Sequence, residues 1–330
     1  MTPSRARELF RSFSERRVLV VGDCMLDHYV WGKVTRVSPE APVQVLDVES
    51  SSHTPGGAAN VVHNLQSLGA QTGLAGVVGA DESGNRLRQA LAQSGVDVSG
   101  LIVDPDRPTT TKTRIIAHSQ QLLRTDWERR DPIHGYVLAT LLQVAEKDTQ
   151  TWHAVVLSDY NKGVLQPAVV EKFVQHARSH GAKVVAGPKP ENLSNFRGAH
   201  LIALNQGEAA AAVNFALKDD ASVCQAGREL LERLQVDAVL ITRGEHGMSL
   251  FQTHEPAYHV PALASQVYDV SGAGDTVIAT LTLSLAAGAT LHEAVNLANL
   301  AAAVVVRKVG TATTAPDEIL ASMPRIHEAV

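Results

Sequence analysis

Asp275 stands directly behind Gly272-Ala273-Gly274, at the mouth of an apolar run rich in alanine and threonine. Glycines let a backbone close on a ligand, and the free N–H groups of a helix start favour an anion. The stretch DVSGAGDTV is therefore of a kind that holds a phosphate beside a carboxylate. It would serve equally as a plain helix start, with Asp275 stabilising the first turn by roughly 0.5–2 kcal/mol. There is no G-x-x-x-x-G-K-[ST], and GAGDTV lacks the third glycine of a dinucleotide fingerprint, so a bound nucleotide needs another design.

Four further stretches carry the same ambiguity. ITRGEHGMSLF (241–251) places Thr242, Gly244 and Gly247 where a strand enters a hairpin, a position suited to a nucleotide or to an ordinary glycine turn. Asn205-Gln206-Gly207-Glu208 also follows a strand. Its Asn and Glu are a helix capping pair, or they order metal-bound water beside a triphosphate, since Mg²⁺ keeps several waters and takes few protein ligands. GDCMLD (22–27) ends the first strand with Asp23 and Asp27, and PGGAAN (55–60) brings Gly56, Gly57 and Asn60 to the start of a helix. Taken singly these are turns and caps; together they supply the convergent acceptors that a polyol pocket needs.

The elements that must position these residues are legible as an alternation. Short aliphatic runs at 18–22, 72–79, 154–158, 183–186, 200–204 and 238–242 read as strands buried on both sides. Helix-period segments lie between them: AANVVHNLQSLG, SGNRLRQALAQSG, HGYVLATLLQVAEK, PAVVEKFVQHARSHG and ASVCQAGRELLERLQ. The fold class expected is α/β, a mostly parallel sheet sandwiched by helices. Residues 28–50 and 109–128 alternate apolar and polar side chains instead, which predicts half-exposed antiparallel strands forming a small flap or lid. Val43, Val45, Ile115 and Leu123 would leave that flap in need of a partner, and a homodimer through it is the simplest solution.

At 330 residues, 45% hydrophobic and 19% charged, with net charge −5, the chain has no electrostatic footprint for nucleic acid or an anionic membrane. Its two cysteines fit neither a disulfide framework nor a metal spacing, so a cytoplasmic setting is expected. Residues 1–15 read as a basic amphipathic lead-in helix, VLVVG is too short for a signal-peptide core, and TVIATLTLSLAAGA reads as a buried core helix.

Taken in order, GDCMLD, PGGAAN, NQGE, TRGEHG and DVSGAGD resemble the ribokinase-like (PfkB) sugar kinases, and the resemblance runs over nearly the whole chain. Within that family RVSPEAPVQVL, TKTRIIAHSQQLLRTD, LSDYNKG and AAAVVVRKVGTAT are most similar to the D-glycero-β-D-manno-heptose 7-phosphate kinases. The resemblance implies ATP- and Mg²⁺-dependent phosphorylation of an anomeric hydroxyl, for ADP-heptose and lipopolysaccharide core synthesis. Asp275 would be the base, its pKa held down by the helix start, and the N–H groups around Gly272, Ala273 and Gly274 the anion hole. Asn205 to Glu208 would face the phosphates and metal, with Glu208 acting through water. Thr242, Gly244, Gly247 and Asn299 would line the nucleotide site, and Asp27, Gly56, Gly57 and Asn60 would hold the sugar. A single kinase domain over 1–330 is expected, without the nucleotidyltransferase half of bifunctional relatives, because no H-x-G-H occurs.

A substrate that already carries a phosphate needs its own cations. Lys112 and Arg114 lie two apart on a strand and share a face, and Lys162, Lys189 and Arg124 are further candidates. Two departures from the resemblance stand out. Gly187-Pro188-Lys189 replaces an aspartate-proline-lysine segment, and LIALN replaces a threonine-proline pair. Two alternatives to a heptose phosphate kinase stay open: a kinase of the same family for another sugar or sugar phosphate, or, from the Gly187 departure, a weakly active sugar-phosphate sensor.

Overall fold

The computed structural model describes residues 1–118, 120–148, 152–263 and 266–323. The strands are β1 (Arg17–Gly22), β2 (Cys24–Val37), β3 (Gln44–Gly57), β4 (Gln71–Gly79), β5 (Asp97–Asp104), β6 (Thr110–Ala117), β7 (Gln120–Trp127), β8 (Ala154–Ser158), β9 (Lys183–Gly187), β10 (Leu201–Asn205), β11 (Ala238–Thr242), β12 (Met248–Gln252) and β13 (Tyr258–Val260). The helices are α1 (Pro3–Phe13), α2 (Ala58–Ser67), α3 (Glu82–Gln93), α4 (Gly135–Asp148), α5 (Pro167–Ser179), α6 (Gln206–Val213), α7 (Asp220–Leu234), α8 (Ala273–Ala286), α9 (Leu291–Val305) and α10 (Pro316–Ser322).

The main sheet has the order β13-β12-β11-β10-β9-β8-β1-β4-β5, and every neighbouring pair from β5 to β11 is parallel. Helices cover both faces because the strands are apolar on both. Leu19 and Val21 face the α4, α5 and α7 side, while Val18 and Val20 face α1, α2, α8 and α9. Strand β5 and the antiparallel edge β12–β13 complete the sheet beyond the six runs read from the sequence. Several helix starts are fixed locally: Asp81 accepts from the Gly84 N–H at 2.8 Å, and Asn205 with Glu208 forms the expected capping box.

The flap is a second sheet, ordered β3-β2-β6-β7. Its outer pairs are antiparallel and its central pair, β2 with β6, is parallel. The reason is topological: β2 leaves β1 after Asp23 alone and β3 returns into α2, so β6 must leave the main body in the same direction as β2. Leu123 and Trp127 on this sheet and Val43 just before β3 are exposed, whereas Val45 and Ile115 are half-buried. No described helix is long and apolar enough to cross a membrane.

Candidate active site

The chain order reverses between β1 and β8, and in open α/β sheets the crevice outside the carboxyl ends at such a point binds ligands. The segments leaving those strand ends are Asp23 after β1, Asp159-Tyr160 after β8, Gly187 to Lys189 at β9, Asn205 at β10 and Thr242 at β11. The start of α8 faces them. Two adjoining cavities result, of about 160 and 700 Å³, and Thr242, Gly274 and Val277 line both.

Asp275 lies in the first turn of α8 with 8% of its surface exposed. Asn60 Nδ2 donates to Asp275 Oδ2 at 2.6 Å, and the Tyr160 hydroxyl donates to Oδ1 at 2.6 Å. The sequence-level expectation of a depressed pKa is overturned. Burial, with help from the negative Asp27, outweighs both hydrogen bonds and the positive Lys189 and pushes the carboxyl up to about 6. Gly272 caps the helix in the left-handed region (φ 77°), and a Cβ there would come within 2.9 Å of Asn60 Nδ2. This position therefore demands glycine both for its φ and for the approach of Asn60. The anion cradle is also shifted from the one expected. Ala273 N–H donates back to the Val270 carbonyl at 3.2 Å, while the amides of Gly274 and Asp275 have no partner among the described residues. Space beside Gly274 is open and Gly274 lines both cavities, so an anion held there would meet this end of α8.

On the flap side, Asp27 is 4% exposed and accepts from Arg114 Nη1 at 2.5 Å. Gly56 permits this, because a Cβ there would sit 2.5 Å from Asp27 Oδ2. Gly57 turns the chain into α2 with φ 57°. Arg114 also lies over the Tyr29 ring, 5.2 Å from its centroid. Asn60 from α2 thus touches Asp275, and Asp27 from the flap lies near it with Arg114 as its ion-pair partner.

The larger cavity is lined by Gln206, Thr242, Gly244, Gly247, Gly274 and Asn299, with Val270, Val277, Ala302 and Val306 among its apolar wall. Asn299 Nδ2 donates to the Pro261 carbonyl at 2.8 Å and so ties down the segment that edges it. Gly207 is absent from both linings, although its neighbours are present. In the smaller cavity Lys189 Nζ lies 2.5 Å from Glu208 Oε1, while Glu208 Oε2 accepts the Asn205 N–H of the capping box. The capping and ligand readings of this turn are therefore compatible, and Glu208 retains lone pairs for a metal-bound water.

Two predicted substrate contacts are corrected. Asp23 is spent internally: its Oδ2 accepts the Tyr160 and Lys162 N–H groups at 2.7 and 3.1 Å, and its Oδ1 the Val164 N–H at 3.3 Å. It is 1% exposed, and burial beside Asp159 raises its pKa to about 6. Lys112 is paired with Asp126 at 3.0 Å and Glu128 at 3.5 Å, because the β6–β7 register sets it opposite Asp126. Lys162 and Arg124 are likewise paired, with Glu128 and Asp126. Arg114 and Lys189 are ion-paired too, with Asp27 and Glu208, and of the candidate cations these are the two whose pairs border Asp275. Gly187 lines the small cavity, and among the described residues a Cβ there would meet Ile278, whose Cδ1 would be 2.5 Å away.

Tyr160 is the residue that the sequence reading missed. SDYNKG drew attention for its lysine, yet the tyrosine is the member that touches Asp275. Its position directly after the Asp that follows a buried strand is the available signal.

An α/β sandwich with a buried carboxylate at a helix start, unpartnered helix-start amides among the described residues and an adjoining cavity of about 700 Å³ is an arrangement suited to phosphoryl transfer. The pattern of the pfkB family carbohydrate kinases matches residues 15–318. The chain belongs to that family, whose members are ATP-dependent sugar kinases. Bifunctional protein HldE of Geobacter metallireducens (strain ATCC 53774 / DSM 7210 / GS-15) is 44% identical over 323 residues, covering 98% of this chain and 66% of that protein. The corresponding protein of Helicobacter hepaticus (strain ATCC 51449 / 3B1) is 43% identical over 304 residues, covering 92% and 63%. The chain thus spans about two thirds of the length of these curated relatives. Phosphofructokinase-2 from Escherichia coli in complex with potassium shares the fold, with a TM-score of 0.76 at 19% identity over 92% of this chain and 96% of that one. Arabidopsis thaliana ribokinase complexed with ribose and ATP does so with a TM-score of 0.74 at 18% identity, over 93% and 98%.

Proposed function

We propose that this chain transfers the γ-phosphoryl group of ATP to the anomeric hydroxyl of D-glycero-β-D-manno-heptose 7-phosphate, giving the 1,7-bisphosphate. The observation that carries the reaction type is Asp275, buried between the free amides of the α8 start and the Asp27–Arg114 pair. The acceptor rests on the similarity to bifunctional HldE proteins along 98% of the chain.

Asp275 accepts the proton as the acceptor oxygen bonds to phosphorus and the bridge to ADP breaks. With a pKa of about 6 it is mostly ionised at pH 7 and still a useful proton acceptor. The amides of Gly274 and Asp275, with the Lys189 ammonium, stabilise charge gathering on the transferred group. Mg²⁺, when bound through water at Glu208, would neutralise phosphate charge. Asp27, Asn60 and Arg114 orient the sugar. Residues 15–318 act as one catalytic unit from which the flap strands project. The exposed Val37, Val43, Val48, Leu123 and Trp127 of the flap support a homodimer through it, and a monomer in sedimentation at micromolar concentration would refute that arrangement.

A second reading has a specific observation in its favour. Lys112 and Lys162 are neutralised by Asp126 and Glu128, which favours an acceptor without a second phosphate. An ATPase-coupled screen of sugars and sugar phosphates decides between them. Turnover of the heptose 7-phosphate is expected; turnover of ribose or fructose 6-phosphate with none of the heptose phosphate would overturn the proposal.

A further inference from the structure

Tyr160 occupies a built position. Its N–H is held by Asp23 Oδ2, and the turn that carries it is fixed by Asp159, which accepts the Asn161 N–H at 2.8 Å and the Lys189 N–H at 3.0 Å. Lys189 Nζ lies 5.3 Å from the centroid of the Tyr160 ring, so the ring is pinned from its backbone and from its face. The only polar atom of the side chain then meets one oxygen of Asp275 at 2.6 Å, while Asn60 meets the other at the same distance. Each carboxylate oxygen accepts two hydrogen bonds, so a lone pair on each remains for an acceptor hydroxyl.

We propose that Tyr160 is a positioning residue for phosphoryl transfer: its hydroxyl fixes the rotation of the Asp275 carboxylate and holds it ionised at neutral pH. This rests on the reading of Asp275 as the base. The phenol is suited to donating, since burial and the neighbouring carboxylate keep its own proton on well above the usual range. The charged groups facing Asp275 are Asp27 from β2, itself paired with Arg114 of β6, and Lys189 from the segment after β9, itself paired with Glu208 of α6. Asp27 opposes ionisation and Lys189 favours it. The uncharged donors Asn60 and Tyr160 favour it too, and of these Tyr160 can be changed by one atom.

Tyr160→Phe keeps the ring, its burial and the Lys189 contact. Hydrogen bonds to charged groups are strong enough that removing one should move the acidic limb of kcat/KM up by about one to two pH units. From a limb near 6, the variant should lose about 2–10-fold at pH 7 and about 10–100-fold at pH 5.5, and recover by pH 9. Using the same substrates for both proteins cancels titration of their phosphates. ATP affinity by calorimetry should be unchanged. Incorporating 3-fluorotyrosine at position 160 strengthens the donor and should move the limb down. A readout independent of turnover is the ¹³C titration of the Asp275 carboxyl, assigned by its loss in Asp275→Asn, whose midpoint should move in the same two directions.

An equal loss at every pH in Tyr160→Phe, or midpoints that do not move in either variant, would reduce Tyr160 to a packing residue. If Asp275→Asn is inactive while those midpoints stay fixed, this proposal alone fails. If Asp275→Asn keeps wild-type turnover, the base reading fails first.

Discussion

Replacing Asp275 by asparagine removes one charge and almost no volume, and its effects on activity and on stability should have opposite signs. The carboxyl titrates near 6 in the folded protein against an ordinary value of 3.8, because burial disfavours its ionised form. Between those pH values the folded state binds more protons than the unfolded one, so this group's contribution to stability falls as pH rises through that window. The gap corresponds to about 3 kcal/mol of destabilisation, fully present above pH 6 and absent below pH 4. Asparagine escapes this cost and can keep both contacts, its oxygen accepting from Asn60 and its amide donating to the Tyr160 hydroxyl, which can also accept. Asp275→Asn should therefore be more stable than wild type by about 1–3 kcal/mol at pH 8, with the difference vanishing near pH 4. Turnover should fall roughly 10²–10⁴-fold with ATP binding retained, as expected for loss of a general base. Urea denaturation of both proteins at pH 4.5, 6 and 8, with steady-state kinetics, measures both effects. A variant that is less stable at pH 8, or whose stability difference does not depend on pH, would refute the account of the buried charge. Near-normal turnover would leave Asp275 as a helix-start residue only.

Arg114→Leu strands the Asp27 carboxylate and should cost about 3 kcal/mol in chemical denaturation, with part of that recovered when Asp27→Asn is added; simple additivity would mean the pair is not coupled. Gly56→Ala drives a methyl to within 2.5 Å of Asp27 Oδ2, and should raise the KM for the acceptor at least about tenfold while leaving the KM for ATP alone. Gly187→Ala presses only on the Ile278 side chain, so it should destabilise by about 1–2 kcal/mol in the native background and by much less in Ile278→Ala. Equal costs in both backgrounds would place the strain elsewhere.

The reach of the sequence is set by what period and spacing can encode. Strand and helix are local: Val18 to Val21 announces a strand buried on both faces, and Asn205 with Glu208 announces a capped helix, whatever surrounds them. The resemblance carried by the ordered motifs implied one neighbourhood for Asp275, Asn60, Asp27 and Thr242; the parallel sheet delivers Thr242 to the edge that the start of α8 faces, while Asn60 comes from α2 and Asp27 from the flap. What the tertiary structure decided was how each polar group is spent. Asp23 and Asp27 look alike four residues apart, yet one closes on the backbone amides of the turn after β8 and the other meets Arg114. Lys112 and Arg114 share a strand face, and the β2–β6 register sets Lys112 opposite Asp27 and Arg114 opposite Tyr29; yet Lys112 pairs with Asp126 across β6–β7, and it is Arg114 that reaches diagonally to Asp27. The sign of the Asp275 shift followed the same logic. A helix start favours a charge and burial opposes it, and only the packed environment, with Tyr160 brought from 115 residues away, determines which effect is larger.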